Sequence, residues 1–169
     1  MKKNIILTVL DIDGILTDGK VAIDDRDREY KIINYRDLDG VNYLRGRGIK
    51  FALLTGEDTA LVDKIAKKFK IDNVIKGAKD KADGLIRLSE MTGVPIRNIC
   101  YLGDSDRDAE GLKLAGMSFT PADATIKAKK AALHIFKLKG GEGLVQELKE
   151  YLLENRYLDN KRKIRNLSR

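Results

Sequence analysis

Short apolar runs alternate with stretches of helical spacing along the whole of this chain, and that alternation restricts its fold more than any other feature. Residues 5–10, 49–54 and 98–102 read as buried strands, because each is almost wholly apolar over strand length. Residues 73–75, 117–120 and 134–136 read as shorter ones. Between them, Leu38, Val41 and Leu44, then Leu61, Ile65 and Phe69, then Leu85, Leu88 and Met91, recur at three- and four-residue spacing and predict helices. Leu112 and Ala115 mark a further helix, and Leu144, Leu148 and Leu152 a last one. Gly46, Gly48 and Gly93 supply stops. Strands that alternate with helices pair in parallel and carry helices on both faces, so the expected class is α/β with a Rossmann-like sheet. One departure interrupts the pattern: residues 20–23 and 30–35 read as two strands joined by Asp24-Asp25-Arg26-Asp27-Arg28, a small β-hairpin flap.

At 169 residues the chain fits one domain, expected over residues 1–155, followed by a basic tail over 156–169. The net charge of +7 invites a nucleic-acid reading, but six basic residues and one acid of the tail account for +5 of it, leaving +2 on the rest. Such a tail reads as a solvated end, so neither nucleic acid nor membrane is expected as a partner. A nucleic-acid role would need salt-dependent affinity carried by the tail. The single Cys100 allows no internal disulfide, and no apolar run approaches the ~20 residues of a membrane helix, so a cytoplasmic location is expected.

In parallel sheets ligands gather beyond the carboxyl ends of the strands, and here those ends carry the polar residues. The first strand ends Asp11-Ile12-Asp13-Gly14. Two carboxylates so placed can converge on one cation if the chain curls, and oxygen-only ligands suit Mg²⁺. One aspartate can attack phosphorus while the other protonates the leaving oxygen and then activates water. The second strand ends Leu53-Leu54-Thr55-Gly56, a hydroxyl and free amides suited to an oxyanion, although Thr55 also reads as a simple N-cap. The third ends Gly103-Asp104-Ser105-Asp106-Arg107-Asp108, where Asp104 offers a further carboxylate and Asp108 is either a supporting residue or a first-turn helix acid. Lys81 lies between them, near a helix start, as a cation for transferring phosphate. His134 and Cys100 read as structural residues.

Asp11-x-Asp13-Gly14-x-x-Thr17, Thr55-Gly56, Lys81 and Gly103-Asp104-x-x-x-Asp108 resemble the four motifs of the haloacid dehalogenase superfamily, in order. Asp18-Gly19 before a hairpin, Asn34-x-Arg36-Asp37, and Gly140-Gly141-Glu142-Gly143 before the last helix resemble its small capless branch, over about residues 5–154. That branch contains 3-deoxy-D-manno-octulosonate 8-phosphate phosphatase and phosphatases of nine-carbon, sialic-acid-type 9-phosphates. The resemblance implies a fold without a cap domain and hydrolysis of the terminal phosphate of a 2-keto-3-deoxy sugar acid. It implies a nucleophile at Asp11 and an acid/base at Asp13, with phosphate on Thr55, Gly56 and Lys81. Mg²⁺ would lie on Asp11, Asp104 and the Asp13 backbone carbonyl. It also implies a homotetramer in which the hairpin of one subunit covers a neighbour's site, and the hairpin's closeness to Asp11 in sequence supports that expectation.

Two positions depart from the octulosonate pattern. Leu38 follows Arg36-Asp37 where those enzymes have glycine, and Glu57 follows Thr55-Gly56 where they have arginine. Glu57 with a lysine matching Lys68 is similar to the nine-carbon phosphatases, so Glu57, Lys68 and Arg36 are the expected specificity residues. Glu57 and Lys68 lie about 16 Å apart along a straight helix, so their meeting is expected across a subunit interface. The alternative is a catalytically weak phosphatase-like assembly module, of the sort joined to sialic-acid cytidylyltransferases.

Overall fold

A computed structural model describes residues 4–158. Six strands, β1 (Leu7–Leu10), β4 (Lys50–Leu54), β5 (Asn73–Ile75), β6 (Ile99–Leu102), β7 (Met117–Thr120) and β8 (His134–Ile135), form a wholly parallel sheet in the order β5-β4-β1-β6-β7-β8. Helices α1 (Tyr35–Gly46), α2 (Ala60–Phe69), α3 (Lys81–Thr92), α4 (Ala109–Leu114), α5 (Ile126–Ala131) and α6 (Leu144–Glu154) complete it. Successive strand side chains point to opposite faces, and both faces are covered. Leu10, Leu53 and Leu102 join Val41, Phe69 and Leu148, the side of α1, α2 and α6. Leu7, Val9, Leu54 and Tyr101 join Leu85, Leu112 and Ala128, the side of α3, α4 and α5. Burial on both faces is why these strands read as continuous apolar runs rather than alternating ones. No helix among the described residues is long and apolar enough to cross a membrane.

The register places the chemistry. Leu10 is opposite Leu53 on one side and Leu102 on the other, so the three central strands finish level. From β1 the chain moves to β4 and β5, then returns to β6 on the far side of β1. A crevice opens where the direction of winding changes, at the carboxyl ends of those strands.

The flap is smaller than the sequence suggests. Its paired strands are β2 (Ala22–Ile23) and β3 (Glu29–Tyr30), both exposed. A two-stranded ribbon with no packed face cannot sustain longer pairing. Its turn is organised by Asp24, whose carboxylate accepts from the Arg26 and Arg28 amides at 2.9 and 3.0 Å. Helix α1 starts at Tyr35, earlier than its apolar spacing indicates, because the Asn34 side chain caps the Arg36 amide. No other domain is inserted between β1 and α1 among the described residues, so the cap is absent as expected. Of the basic tail, residues 159–169 lie outside the described residues.

Candidate active site

Directly after β1 the chain curls through one wide turn over residues 12–16, with Gly14 in the left-handed region at φ 78°. A side chain at position 14 would overlap the Asp104 carboxylate, so glycine is what lets the loops after β1 and β6 approach. Asp11, at the mouth of the turn, is 7% exposed. One of its oxygens accepts from the Ile12 amide at 2.7 Å, and the other accepts from Lys81 Nζ at 2.7 Å. Lys81 is the first residue of α3, a helix capped by Asp80. Its ammonium also donates to the Leu54 carbonyl at 3.0 Å and pairs with Asp108 at 3.1 Å. Burial works against the Lys81 charge, but Asp11 and Asp108 raise its pKa above the ordinary value.

Asp108 is fully buried. It accepts from the Tyr101 hydroxyl at 2.6 Å, the Ser105 hydroxyl at 2.7 Å, and the Ser105 and Asp104 amides at 2.9 and 3.1 Å. Burial opposes its charge, yet Lys81 and these donors hold its pKa below the usual carboxylate range. Asp108 ties together the loop that presents Asp104, and as a first-turn acid of the short helical turn Asp106–Asp108 it closes a capping box with Ser105, so both expectations for it stand side by side. Burial, with the nearby Asp108 charge, pushes Asp104 up to about 7. Burial likewise pushes Asp11 up to about 7 despite Lys81.

Oxygens of Asp11, Asp104 and Asp108 all lie within 4.8 Å of one another. Asp108 is already satisfied by four hydrogen-bond donors and the Lys81 ammonium, whereas burial holds Asp11 and Asp104 above the ordinary carboxylate range. An oxygen-only set of this type fits Mg²⁺, with Asp11 and Asp104 as the carboxylates to hold it. The Asp13 carboxylate is not in the cluster. It accepts instead from the Thr17 hydroxyl at 3.2 Å and from Lys31 Nζ at 2.8 Å.

Asp11, Asp13, Thr55, Gly56, Glu57, Lys81 and Asp104 border one cavity of about 330 Å³. Thr55 is not a helix N-cap, since α2 begins at Ala60 and Thr59 holds the cap position. Its buried hydroxyl accepts from the Glu57 amide at 3.2 Å and keeps its own proton to donate. Glu57 faces the cavity, but its carboxylate accepts from Lys31 Nζ at 2.6 Å. Lys68 and Arg36 are not brought to the cavity. Lys68 donates to the Tyr35 hydroxyl at 3.1 Å, and Arg36 lies against Gly143. His134 stacks on Phe119 with ring centroids 4.9 Å apart, and Cys100 is buried with its thiol pushed up by desolvation.

The structure adds two residues that the sequence reading passed over. Lys31 enters from the flap of the same chain, so the expectation that the hairpin is too close to reach its own site is corrected at this residue. The chain after β3 stays extended long enough to bring it back. Arg107 borders the cavity opposite, its guanidinium 3.9 Å from where a Gly56 Cβ would stand, with no ion pair or hydrogen bond among the described residues. Its place within Gly103-Asp104-Ser105-Asp106-Arg107-Asp108 was the available signal.

Residues 26–116 match the model of haloacid dehalogenase-like hydrolases. The chain is 30% identical over 152 residues to 3-deoxy-D-manno-octulosonate 8-phosphate phosphatase of Haemophilus influenzae, covering 90% of this chain and 84% of that one. It belongs to the haloacid dehalogenase-like hydrolases. Within that family it lies in the capless phosphatase branch and is a phosphoric monoester hydrolase. The Moraxella catarrhalis 3-deoxy-D-manno-octulosonate 8-phosphate phosphatase, solved with a magnesium ion, phosphate and the sugar acid, superposes with a TM-score of 0.86 at 30% identity, over 92% of this chain and 90% of the other. The cobalt-bound H. influenzae enzyme gives 0.85 at 30% identity, over 90% and 89%. The family's metal is Mg²⁺, and the acidic cluster of this chain fits it.

Proposed function

We propose that this hydrolase removes the terminal phosphate of a 2-keto-3-deoxy sugar acid by way of a phosphoryl group carried on Asp11. The observation that carries the proposal is the convergence of Asp11, Lys81, Thr55 and Asp104 on one cavity at the level ends of three strands. The Ile12 amide holds one Asp11 oxygen and orients the carboxylate. The other oxygen forms the bond to phosphorus as the ester bond breaks. Lys81, the Thr55 hydroxyl and the amides beside Gly56 receive the phosphoryl oxygens. Asp11, Asp104 and the Asp13 carbonyl would hold Mg²⁺, whose charge would let a carboxylate approach a phosphate dianion. Asp13 gives its proton to the departing alkoxide, then takes one from the water that releases phosphate from Asp11. Arg107 offers a forked donor to the carboxylate of the sugar acid.

Octulosonate 8-phosphate is the first substrate to name, because the relatives above act on it. The nine-carbon 9-phosphates are the alternative. Their case rested on Glu57 joined to Lys68, and within one chain the partner of Glu57 is Lys31. Phosphate release from eight- and nine-carbon acid phosphates, set beside neutral hexose phosphates, tests the reading. Activity should favour the acids, vanish in EDTA, return with Mg²⁺, and return poorly with Ca²⁺, whose larger and looser shell suits the site badly. Equal rates on neutral sugars, or full activity in excess chelator, would refute it.

A further inference from the structure

Lys31 is held in an unusual way for a lysine on a small exposed flap. Its side chain is 1% exposed, although the two carboxylates that cover it, Asp13 and Glu57, are 31% and 38% exposed. Its neighbours along the chain, Tyr30 and Ile32, are 49% and 83% exposed, so Lys31 turns inward between two outward-facing side chains, as Ile33 does next against the core. An ammonium gives up its hydration only where fixed acceptors replace it. Here they come from two separate loops, at 2.8 Å from Asp13 and 2.6 Å from Glu57.

Glu57 is itself held at the end of β4. Its amide donates to the Thr55 hydroxyl at 3.2 Å, and its carbonyl accepts from the Gly77 amide at 3.0 Å. Asp13 is gripped on both oxygens, by Thr17 on one and Lys31 on the other. A continuous link therefore runs from β4 through Glu57 and Lys31 to Asp13. A carboxylate that transfers a proton must stay within hydrogen-bond reach of the leaving oxygen. An Asp13 freed from Lys31 has only the 3.2 Å contact with Thr17 to stop its rotation toward solvent.

We propose that Lys31 is a positioning residue for Asp13, with Glu57 as its anchor, so that Glu57 acts on catalysis through Lys31 rather than by touching substrate. This rests on the reading of Asp13 as the proton-transfer group. The link spans flap and strand end, so the position of the flap and that of the Asp13 carboxylate are tied together.

The test measures kcat/KM of the full-length Mg²⁺ enzyme on three phosphates: p-nitrophenyl phosphate, glycerol phosphate and octulosonate 8-phosphate. This ratio reports steps up to departure of the leaving group. p-Nitrophenolate leaves with little need of a proton, whereas both alkoxides need one. Lys31→Met should lower kcat/KM roughly 10-fold or more on both alkyl phosphates and less than about 3-fold on p-nitrophenyl phosphate. Retained p-nitrophenyl phosphatase activity also reports that the variant is folded. Lys31→Arg should recover much of the loss, because a second cation at the same place still bridges the two acids. Glu57→Gln should show the same selective pattern, and Lys31→Met/Glu57→Gln should be no worse than Lys31→Met, since both break one link. Equal losses on all three substrates, losses that multiply in the double variant, or a loss on the sugar acid with glycerol phosphate untouched would each overturn the proposal; the last would make Lys31 a substrate contact. Asp13→Asn run in parallel separates the two levels. If it too lacks the leaving-group split, the reading of Asp13 falls, and the positioning role falls with it.

Discussion

At the scale of single residues, the site is a balance of buried charge. Lys81 is 3% exposed and shared by Asp11 and Asp108, and Asp104 stands beside them with no cation of its own among the described residues. Removing the charge of Asp11 therefore relieves repulsion as it removes the nucleophile. Asp11→Asn should fold at least as stably as the native chain yet release phosphate ~10³-fold more slowly or worse, because an amide cannot form the acyl phosphate. Thermal melts beside a phosphate-release assay check both halves, and near-native turnover would end the assignment. Asp104→Ala leaves the nucleophile and Lys81 in place but removes a carboxylate from the cluster. Its expected signature is a raised Mg²⁺ requirement at little-changed substrate preference, read from Mg²⁺ titrations of activity on two sugar phosphates.

At the scale of elements, the first and last helices pack together through a buried acid. Asp37, in the first turn of α1, accepts from the Val145 amide at 2.7 Å near the start of α6, and its second oxygen has no partner. Burial pushes it up to about 7, although the Val145 bond favours its charge. The unfolded chain loses that proton near pH 4, so between roughly pH 4 and pH 7 the folded state binds a proton the unfolded state does not. Stability from this residue is present at the acid end of that window and is lost as pH rises through it. Asp37→Asn keeps an acceptor for Val145 without the charge. It should be more stable than the native chain at pH 8 by about 1–3 kcal/mol, an advantage that shrinks toward pH 5. Melting curves at the two pH values decide it, and parallel shifts would show that Asp37 is not the titrating group.

At the scale of the whole molecule, the flap presents two faces. Lys31 closes inward on its own site, while Tyr30 and Ile32 face solvent at 49% and 83% exposure, with Tyr35 beyond them at 67%. Side chains of this size in a cluster are a natural contact for another subunit. A homotetramer is predicted, with Ile32→Lys shifting it toward smaller species. Light scattering at assay concentration tests this, and a fully active monomer would remove it.

Much of this was legible in the sequence because it is local. Strand and helix periodicity determined the α/β class, and the polar residues that end the apolar runs pointed to Asp11, Thr55 and Asp104, since every parallel strand delivers its last residue to the same edge of the sheet; Lys81 was singled out by its place near a helix start between those motifs. The acidic Asp108 was visible but ambiguous, because its role depends on Tyr101 and Lys81 lying beside it. What only the tertiary structure decided are the meetings between loops. Asp13 borders the same cavity as Asp11, yet its carboxylate meets Thr17 and Lys31 rather than the Asp11–Asp104 cluster. Thr55 lies five residues before α2 and so caps no helix. Within its own chain Glu57 meets Lys31. Lys31 joins residues 18 and 26 positions away, and Lys81 reaches Asp11 across 70. No spacing rule encodes such pairs: the ordering cost of each loop is met by the packed sheet beneath it, and the direction in which each loop leaves that sheet selects its partner.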